Sequence, residues 1–323
     1  MRTPAGSPSA RFRDVAPPRH YLTWTVCICI MVGMIASRRN SHPVRVGIKL
    51  SQQLCTIEQQ RAVWALADEA GFDHLWIFDH FNPIGSGPLD GVIWEGWTLL
   101  AAMTEATRQV RIGNMVTGNT YRHPGVLAKI ATTVDHLSGG RLEFGLGAGW
   151  AEVEHTMLGL DFPGVGERLR RLDEACTVIK KLWTEEQADF EGRYYRLIGA
   201  QVNPKPVQQP WPPVWIGGGG EQRTLRVVAR HADVWNFAGG SVETAIHKAE
   251  VLERHCAEVG RDPAEIRLSV QLRYGGDDLE VLLAEVESFC QAGFTELIVI
   301  VSEPDSLGKA EAVARELLPR FRG

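Results

Sequence analysis

The 323-residue sequence lacks several patterns that would mark particular classes of protein. It has no long basic block, and its 34 Lys and Arg are outnumbered by 39 Asp and Glu, so nothing indicates a nucleic-acid-binding surface. It has no H-x-H or H-E-x-x-H pair, which argues against a metal-dependent hydrolase. It also has no G-x-S-x-G element, so a Ser/His/Asp hydrolase would lack its nucleophile elbow.

Cysteine is sparse, with six residues and no C-x-x-C pair or zinc-finger spacing. The six are scattered along the chain: Cys27, Cys29, Cys55, Cys176, Cys256 and Cys290. Such a distribution is typical of reduced, mostly structural cysteines, so it predicts a cytoplasmic protein.

The N-terminal segment differs from the rest of the chain. Residues 1–20 are rich in Arg and Pro, and an apolar run from Tyr21 to Ala36 follows, which is short for a transmembrane helix. A basic start before a short apolar core also resembles a secretory signal or a membrane anchor, which would make the protein exported or membrane-associated. We expect instead that residues 1–43 form an extension outside the fold, either disordered or an apolar helix.

From Val44 to the C-terminus, apolar strand-like runs alternate with helical patterns. A capping box at Thr56 and Gln59 and a proline at position 124 mark two of the helix starts. Eight strands are predicted: Val44 to Leu50, His74 to Phe78, Val110 to Thr117, Arg141 to Leu146, Val214 to Ile216, Val234 to Phe237, Ile266 to Leu272 and Glu296 to Val301. Eight βα units predict an α/β fold of the (β/α)8 TIM-barrel type over residues 44–323, with an open doubly wound sheet as the alternative.

The βα alternation is interrupted after the fourth strand. Residues 151–212 contain a long helical pattern, from about Glu167 to Thr184, and a hairpin pattern centred on Glu191 and Gly192. We interpret this segment as an insertion in the barrel rather than a second domain.

A run of four glycines follows the fifth strand. Gly217, Gly218, Gly219 and Gly220 stand between Val214 to Ile216 and a helix that we predict to begin at Glu221. A strand, a glycine turn and a helix N-terminus can bind phosphate through backbone N–H groups and the helix dipole. The alternative is a tight turn that only needs residues tolerating positive φ.

Two further segments at predicted strand ends suggest chemistry. His80 is the candidate for proton transfer, with Asp79 beside it, because imidazole titrates near neutral pH. The alternative is that Asp79 caps a loop and His80 is structural. Trp150, directly after Gly149, could form a wall of a ring-binding pocket or simply pack in the core. Glu152 and Glu154 could serve only the helix dipole.

Five spaced motifs resemble the luciferase-like oxidoreductases, most of all the actinobacterial branch that uses the deazaflavin coenzyme F420. They occur in the family's order over about residues 44–320: Phe78-Asp-His-Phe-Asn-Pro83, Arg111-Ile-Gly-Asn-Met-Val-Thr117, Tyr121-Arg-His-Pro124, Gly139 to Trp150, and Trp215 to Gly220 with Ala232-Asp-Val-Trp-Asn236.

The resemblance implies a barrel that holds a deazaflavin or flavin at its C-terminal mouth. It implies that Asp79 and His80 lie beside the ring, that a non-proline cis peptide joins Asn114 and Met115, and that the four glycines contact phosphate. The cofactor-binding residues that we predict are Asn114, Met115, Thr117, Gly149, Trp150, Gly217, Gly218, Gly219, Gly220 and Gly239.

The sequence also departs from the sugar-phosphate dehydrogenases of this family. The tryptophan that follows their Asp-His pair is Ile84 here, and the glutamate that follows their strand-four glycines is Trp150. These changes argue against a sugar-phosphate substrate and leave the acid that protonates the product unassigned.

Three functions are therefore considered. The first is an oxidoreductase that transfers a hydride between coenzyme F420 and a small organic substrate. The second is an FMN-dependent monooxygenase that is supplied by a separate reductase, and the third is a non-catalytic barrel that binds flavin or deazaflavin. Neither a nucleic acid nor a membrane is expected as a partner of the barrel. Homo-oligomerisation fits the family, although no interface follows from the sequence.

Overall fold

A computed structural model describes residues 42–85 and 87–322 of the chain. The extension predicted over residues 1–43 lies outside the described residues, apart from its last two. The described part contains eleven strands: β1 (Arg45–Leu50), β2 (His74–Ile77), β3 (Arg111–Asn114), β4 (Thr117–Gly118), β5 (Leu142–Gly147), β6 (Ala188–Glu191), β7 (Arg196–Ala200), β8 (Val214–Gly217), β9 (Val234–Phe237), β10 (Arg267–Arg273) and β11 (Glu296–Val301).

Helices follow most of the barrel strands, and local sequence signals explain where they start. Thr56 and Gln59 form the predicted reciprocal capping box, and Pro124 occupies the first turn of its helix. The helices are α1 (Ile57–Glu69), α2 (Gly96–Ala106), α3 (Pro124–Leu137), α4 (Glu152–Leu158), α5 (Val165–Thr184), α6 (Thr224–His231), α7 (Val242–Val259), α8 (Leu279–Gln291) and α9 (Ser306–Glu316). Two short 3₁₀ turns, Pro263–Glu265 and Leu318–Phe321, complete the set.

The main sheet closes into a barrel. Its strand order is β3-β2-β1-β11-β10-β9-β8-β5-β4, and a further parallel pairing of β3 with β5 joins the two sides. The short β4 lies against the end of β5, so eight parallel strands form the closed ring. The (β/α)8 prediction is confirmed, and the open doubly wound alternative is wrong.

Two helices and a hairpin lie between β5 and β8. The hairpin of β6 and β7 is confirmed, but it is not centred on Glu191 and Gly192. Glu191 pairs with Arg196, so the turn occupies the four residues between them. The carboxylate of Glu174 fixes this turn because it accepts hydrogen bonds from three consecutive backbone N–H groups, those of residues 193–195. The domain boundary and the extent of the insertion remain predictions.

Alternating side chains build two apolar layers around the sheet. Along β1, Val46, Ile48 and Leu50 point outward into the large core between the barrel and its helices. The interior of the barrel is filled by a smaller cluster in which the indoles of Trp76 and Trp215 pack at 64° with their centroids 4.6 Å apart. The interior is therefore closed in the middle, and a cavity large enough for an organic ligand lies above this plug.

Below the plug, the N-terminal end of the barrel holds a buried network of charges. His74 Nε2 lies 2.8 Å from Glu296 Oε2, and Arg267 also binds the Glu296 carboxylate. On the other side, Glu143 binds Arg111 and accepts a hydrogen bond of 2.5 Å from the Trp215 indole. These carboxylates are buried but paired, as buried charges need to be.

Two further observations concern the described residues alone. No helix in residues 42–85 and 87–322 has the length and apolar character needed to cross a membrane. Within the same residues, no disulfide joins the four cysteines at positions 55, 176, 256 and 290.

We expect Glu143→Gln to lower the free energy of unfolding by about 3 kcal/mol, because it removes the buried carboxylate that neutralises Arg111. Urea denaturation followed by circular dichroism measures this change. Glu311→Gln, which alters an exposed carboxylate on α9, serves as the control and should shift the free energy by less than about 0.5 kcal/mol. An equal loss in the two variants would contradict the role given to Glu143.

Candidate active site

A cavity of about 630 Å³ opens at the carboxyl ends of the barrel strands. All eight strands of the ring or the residues directly after them contribute to its wall, because parallel strands end at the same rim. Its volume is in the range of sites for small organic ligands and cofactors. This is the position at which the sequence predicted an active site.

His80 lies at the cavity wall after β2, held by a carboxylate from the other side of the mouth. Its Nδ1 is 3.1 Å from Oε1 and 3.0 Å from Oε2 of Glu154 on α4. Since a carboxylate only accepts, Nδ1 carries a proton. No described residue hydrogen-bonds Nε2, which leaves this nitrogen for a ligand.

Glu154 is fully buried and accepts from three further donors. The backbone N–H groups of Phe81 and Asn82 reach Oε1 at 2.9 and 3.0 Å, and the Tyr121 hydroxyl donates to Oε2 at 2.5 Å. Burial alone would raise the pKa of Glu154, but the hydrogen bonds from His80, Tyr121 and Asn82 lower it to about 2. Burial and the neighbouring Glu154 raise the pKa of Tyr121, so its hydroxyl keeps its proton. The carboxylate is therefore charged and fixes the orientation of His80.

Asp79 does not serve His80 as the sequence suggested. Asp79 makes no hydrogen bond to His80 among the described contacts and instead forms a bidentate pair with Arg122, at 2.6 and 3.1 Å. Arg122 also binds Glu95, which caps α2. Asp79 is fully buried in this arrangement, so its carboxylate orders the loop behind His80.

The glycine run forms a turn at the cavity with unused backbone donors. Gly217 and Gly218 line the cavity, and Gly218 has φ of 121°, which favours glycine. No described residue accepts a hydrogen bond from the N–H of Gly219 or Gly220, although neither glycine itself lines the cavity. Lys248 of α7 holds the turn by donating to the Gly219 carbonyl at 2.6 Å.

The helix after the glycines begins at Thr224, so the predicted start at Glu221 is wrong. The Gly220 carbonyl accepts from the N–H of Leu225, five residues on, and the Glu221 carbonyl accepts from His255 Nε2 at 2.8 Å. Neither carbonyl makes an α-helical bond, so three turn residues precede α6. Thr224, its first residue, lines the cavity.

The cis peptide joins Met115 to Val116, so the prediction of Asn114 and Met115 is wrong by one residue. Asn114 still lies in the regular register of β3, paired with Ile77, and the irregular backbone begins after it. Met115 and Val116 both line the cavity.

Two other predicted cofactor residues lie behind the cavity wall. Asn114 is buried, and neither atom of its amide has a partner among the described residues. Thr117 is also buried, and its hydroxyl accepts from the Trp97 indole at 3.0 Å. The structure does not bring either side chain to the surface of the cavity.

Trp150 and Gly149 line the mouth. The Trp150 indole is 63% exposed, and its centroid lies 5.3 Å from that of the His80 ring. Core packing, the alternative considered for this tryptophan, is therefore excluded. Gly239 does not line the cavity, but the preceding residue, Ala238, does.

Glu154, Tyr121 and Arg122 belong to the site but were not predicted as parts of it. Glu154 was considered only as a carboxylate that could serve the helix dipole, and the other two residues were noted only within a motif. Glu154 lies 74 residues from His80 in the chain, so local patterns could not pair them. One sequence signal could have identified Glu154: it lies on a short helix that directly follows the glycines at the end of the fourth barrel strand.

Comparison with known proteins shows the family of the chain. The sequence model of the family described as luciferase-like monooxygenase matches residues 32–317. An F420-dependent glucose-6-phosphate dehydrogenase from Microbacterium testaceum is 32% identical over 243 residues, covering 73% of this chain and 70% of the relative. The enzyme of the same name from Kineococcus radiotolerans is 35% identical over 186 residues, covering 56% and 52%.

Solved structures share the fold at low sequence identity. An F420-dependent secondary alcohol dehydrogenase in complex with an F420-acetone adduct superimposes with a TM-score of 0.77 at 20% identity, covering 87% of this chain and 100% of the other. The monooxygenase RslO1 from Streptomyces bottropensis gives a TM-score of 0.66 at 20% identity, covering 86% and 99%.

Glu154→Gln should change the acid sensitivity of the protein. The pKa of Glu154 in the folded chain is lowered to about 2, below its ordinary value of 4.5, so its charge stabilises the fold above that ordinary value and loses this effect as the pH falls toward 2. The stability difference between wild type and variant should therefore be largest above about pH 5 and shrink toward pH 2. Thermal melts across this range measure it. A difference that stays constant with pH would refute the assignment.

Proposed function

Because the chain belongs to the luciferase-like monooxygenase family, we propose that it is an oxidoreductase that transfers a hydride between coenzyme F420 and a small organic substrate. The relatives named above are F420-dependent dehydrogenases, which supports F420 over the FMN alternative. The observation that carries the proposal is the buried Glu154 carboxylate, which holds His80 at the cavity wall with Nε2 unpartnered among the described residues.

The residues at the rim fit a phosphate-bearing cofactor with a flat ring. The turn at residues 217–220 has two N–H groups, those of Gly219 and Gly220, without a partner among the described residues, and it precedes α6, which suits a phosphate. Met115 and Val116 give the cavity an apolar wall that suits one face of a ring. When bound, the deazaflavin supplies or accepts the hydride.

The protein residues orient the substrate and handle its proton. A carbon that bears a hydroxyl group can give up a hydride only as its oxygen loses a proton, and Nε2 of His80 is the acceptor in this site. In the reverse direction the protonated imidazole returns that proton. The Glu154 carboxylate accepts the hydrogen bond from Nδ1 and so keeps Nε2 directed to the substrate, which makes the two residues act together.

Trp150 and Ile84 stand where sugar-phosphate dehydrogenases of this family carry other residues, and both line the cavity here. An indole and an aliphatic side chain exclude water without offering a carboxylate. We therefore assign proton exchange to His80 alone and expect a substrate other than a sugar phosphate.

Titration of the cofactor-free protein with F420 and with FMN tests the proposed cofactor. We expect F420 to bind at micromolar concentration or below and FMN to bind at least tenfold more weakly, as followed by fluorescence quenching. Gly218→Ala should weaken F420 binding by about tenfold, because its backbone has positive φ beside the predicted phosphate. Gly139→Ala, also at positive φ but in open space, is the matched control. Tight binding of FMN without binding of F420 would overturn the proposal.

His80→Ala should lower kcat by about 100-fold or more, since general acid–base catalysis contributes that much. The dissociation constant for F420 should change by no more than about threefold, because His80 acts on the substrate and not on the phosphate. Steady-state kinetics with a panel of alcohols and aldehydes, together with a binding titration, measures the two effects separately. Unchanged turnover would remove His80 from the mechanism.

A further inference from the structure

The cavity contains two cations that the proposed reaction does not use. Lys49, at the end of β1, and Arg273, at the end of β10, are the lysine and arginine among its described lining residues. The carboxylate among those residues, Asp79, is paired with Arg122. No described carboxylate forms an ion pair with Lys49 or Arg273.

The sheet register brings these two cations to one side of the mouth. Lys49 pairs with Ile300 of β11 on one side, and Arg273 pairs with the same residue on the other. Their Cα atoms are therefore two strand spacings apart, about 10 Å. Both side chains lie on the cavity side of their strands, so their long stems can reach a common ligand above Ile300.

A chain of hydrogen bonds holds Lys49 in position. Its Nζ donates to Gln271 Oε1 at 2.9 Å, and the Gln271 amide donates to Asn236 Oδ1 at 2.7 Å. Asn236 in turn donates to Ser269 Oγ at 2.9 Å. Gln271 and Asn236 are buried, so side chains of the barrel interior fix the position of the ammonium group.

Burial and the proximity of a second cation make the charge of Lys49 unfavourable. Burial and the nearby charge of Arg273 lower the pKa of Lys49 to about 8, which reports the cost of keeping its charge there. An oxyanion between the two cations would remove the repulsion and supply charge-assisted hydrogen bonds to both. Arg273 is exposed at the mouth, so it remains accessible to an incoming ligand.

We propose that Lys49 and Arg273 form a subsite for the carboxylate or phosphate group of an anionic substrate. This inference rests on the proposed function and narrows its substrate class to small organic anions. A carboxylate-bearing substrate satisfies both this subsite and the argument against sugar phosphates made from Trp150 and Ile84.

The subsite lies apart from the glycine turn at residues 217–220, which we propose binds the phosphate of the cofactor. The glycine turn follows β8, and around the ring β8 is four strands from β1 and two from β10. The subsite centres on β11, which lies opposite β5 and Trp150 across the mouth. His80 follows β2, which is two strands from β11, and Trp150 packs against it, so a substrate anchored at the subsite by its anion can extend to His80.

The test is a calorimetric titration of the F420-loaded protein with inorganic phosphate as the probe anion. We expect Lys49→Met and Arg273→Met each to raise the dissociation constant by about tenfold or more, because each removes a charged donor. Lys49→Arg keeps the charge and should retain binding within about threefold. Arg61→Met, which removes an exposed cation on α1, is the control and should change nothing. Circular dichroism melts verify that each variant is folded.

Three outcomes decide against the subsite. Phosphate binding that is absent from the wild type, or equal in the wild type and both methionine variants, overturns it. F420 affinity that falls in parallel with phosphate affinity assigns the pair to the cofactor and also overturns it. The same titration is repeated on cofactor-free protein, so that a chain that fails to bind F420 refutes the proposed function while the phosphate result still tests the subsite.

Discussion

The Glu154 carboxylate, which accepts from four donors in two separate parts of the chain, determines the geometry of the site. The loop after β2 contributes His80 and two backbone N–H groups, and the turn before α3 contributes Tyr121. An acceptor buried at this point gathers segments that the barrel alone would leave as independent loops. One ionised group on α4 therefore orients His80 and ties α4 to both loops.

The barrel supports this arrangement by placing its charges in separate layers. Near the N-terminal end of the strands, Glu143 and Glu296 are neutralised by arginine and histidine partners. Trp76 and Trp215 form an apolar plug above them. Lys49 is the contrast, since it faces the cavity above the plug without a carboxylate partner among the described residues. The structural carboxylates Glu143 and Glu296 are thus paired with cations. The lack of such a partner for Lys49 among the described residues supports an anionic ligand at the mouth.

Hydrophobic periodicity and helix caps allowed most strands and helices to be predicted. The features that were missed depend on hydrogen bonds between residues far apart in the sequence. The eight strands, the capping box at Thr56 and the glycine turn depend on neighbours in sequence, and each was located within a few residues. The start of α6 was misplaced because His255, from another helix, binds the Glu221 carbonyl. Arg122 and Glu154 were not recognised because their partners lie 43 and 74 residues away. His80 was identified, but the carboxylate that orients it was not.

The exposed indole of Trp150 has a thermodynamic consequence. Because its ring lies edge-on to His80 at the mouth, a ligand that reaches His80 also covers much of the indole. Removing apolar surface from water lowers the heat capacity of the system. Association at this mouth should therefore have a negative heat-capacity change, and its enthalpy should become more favourable as the temperature rises, whatever hydrogen bonds the ligand makes.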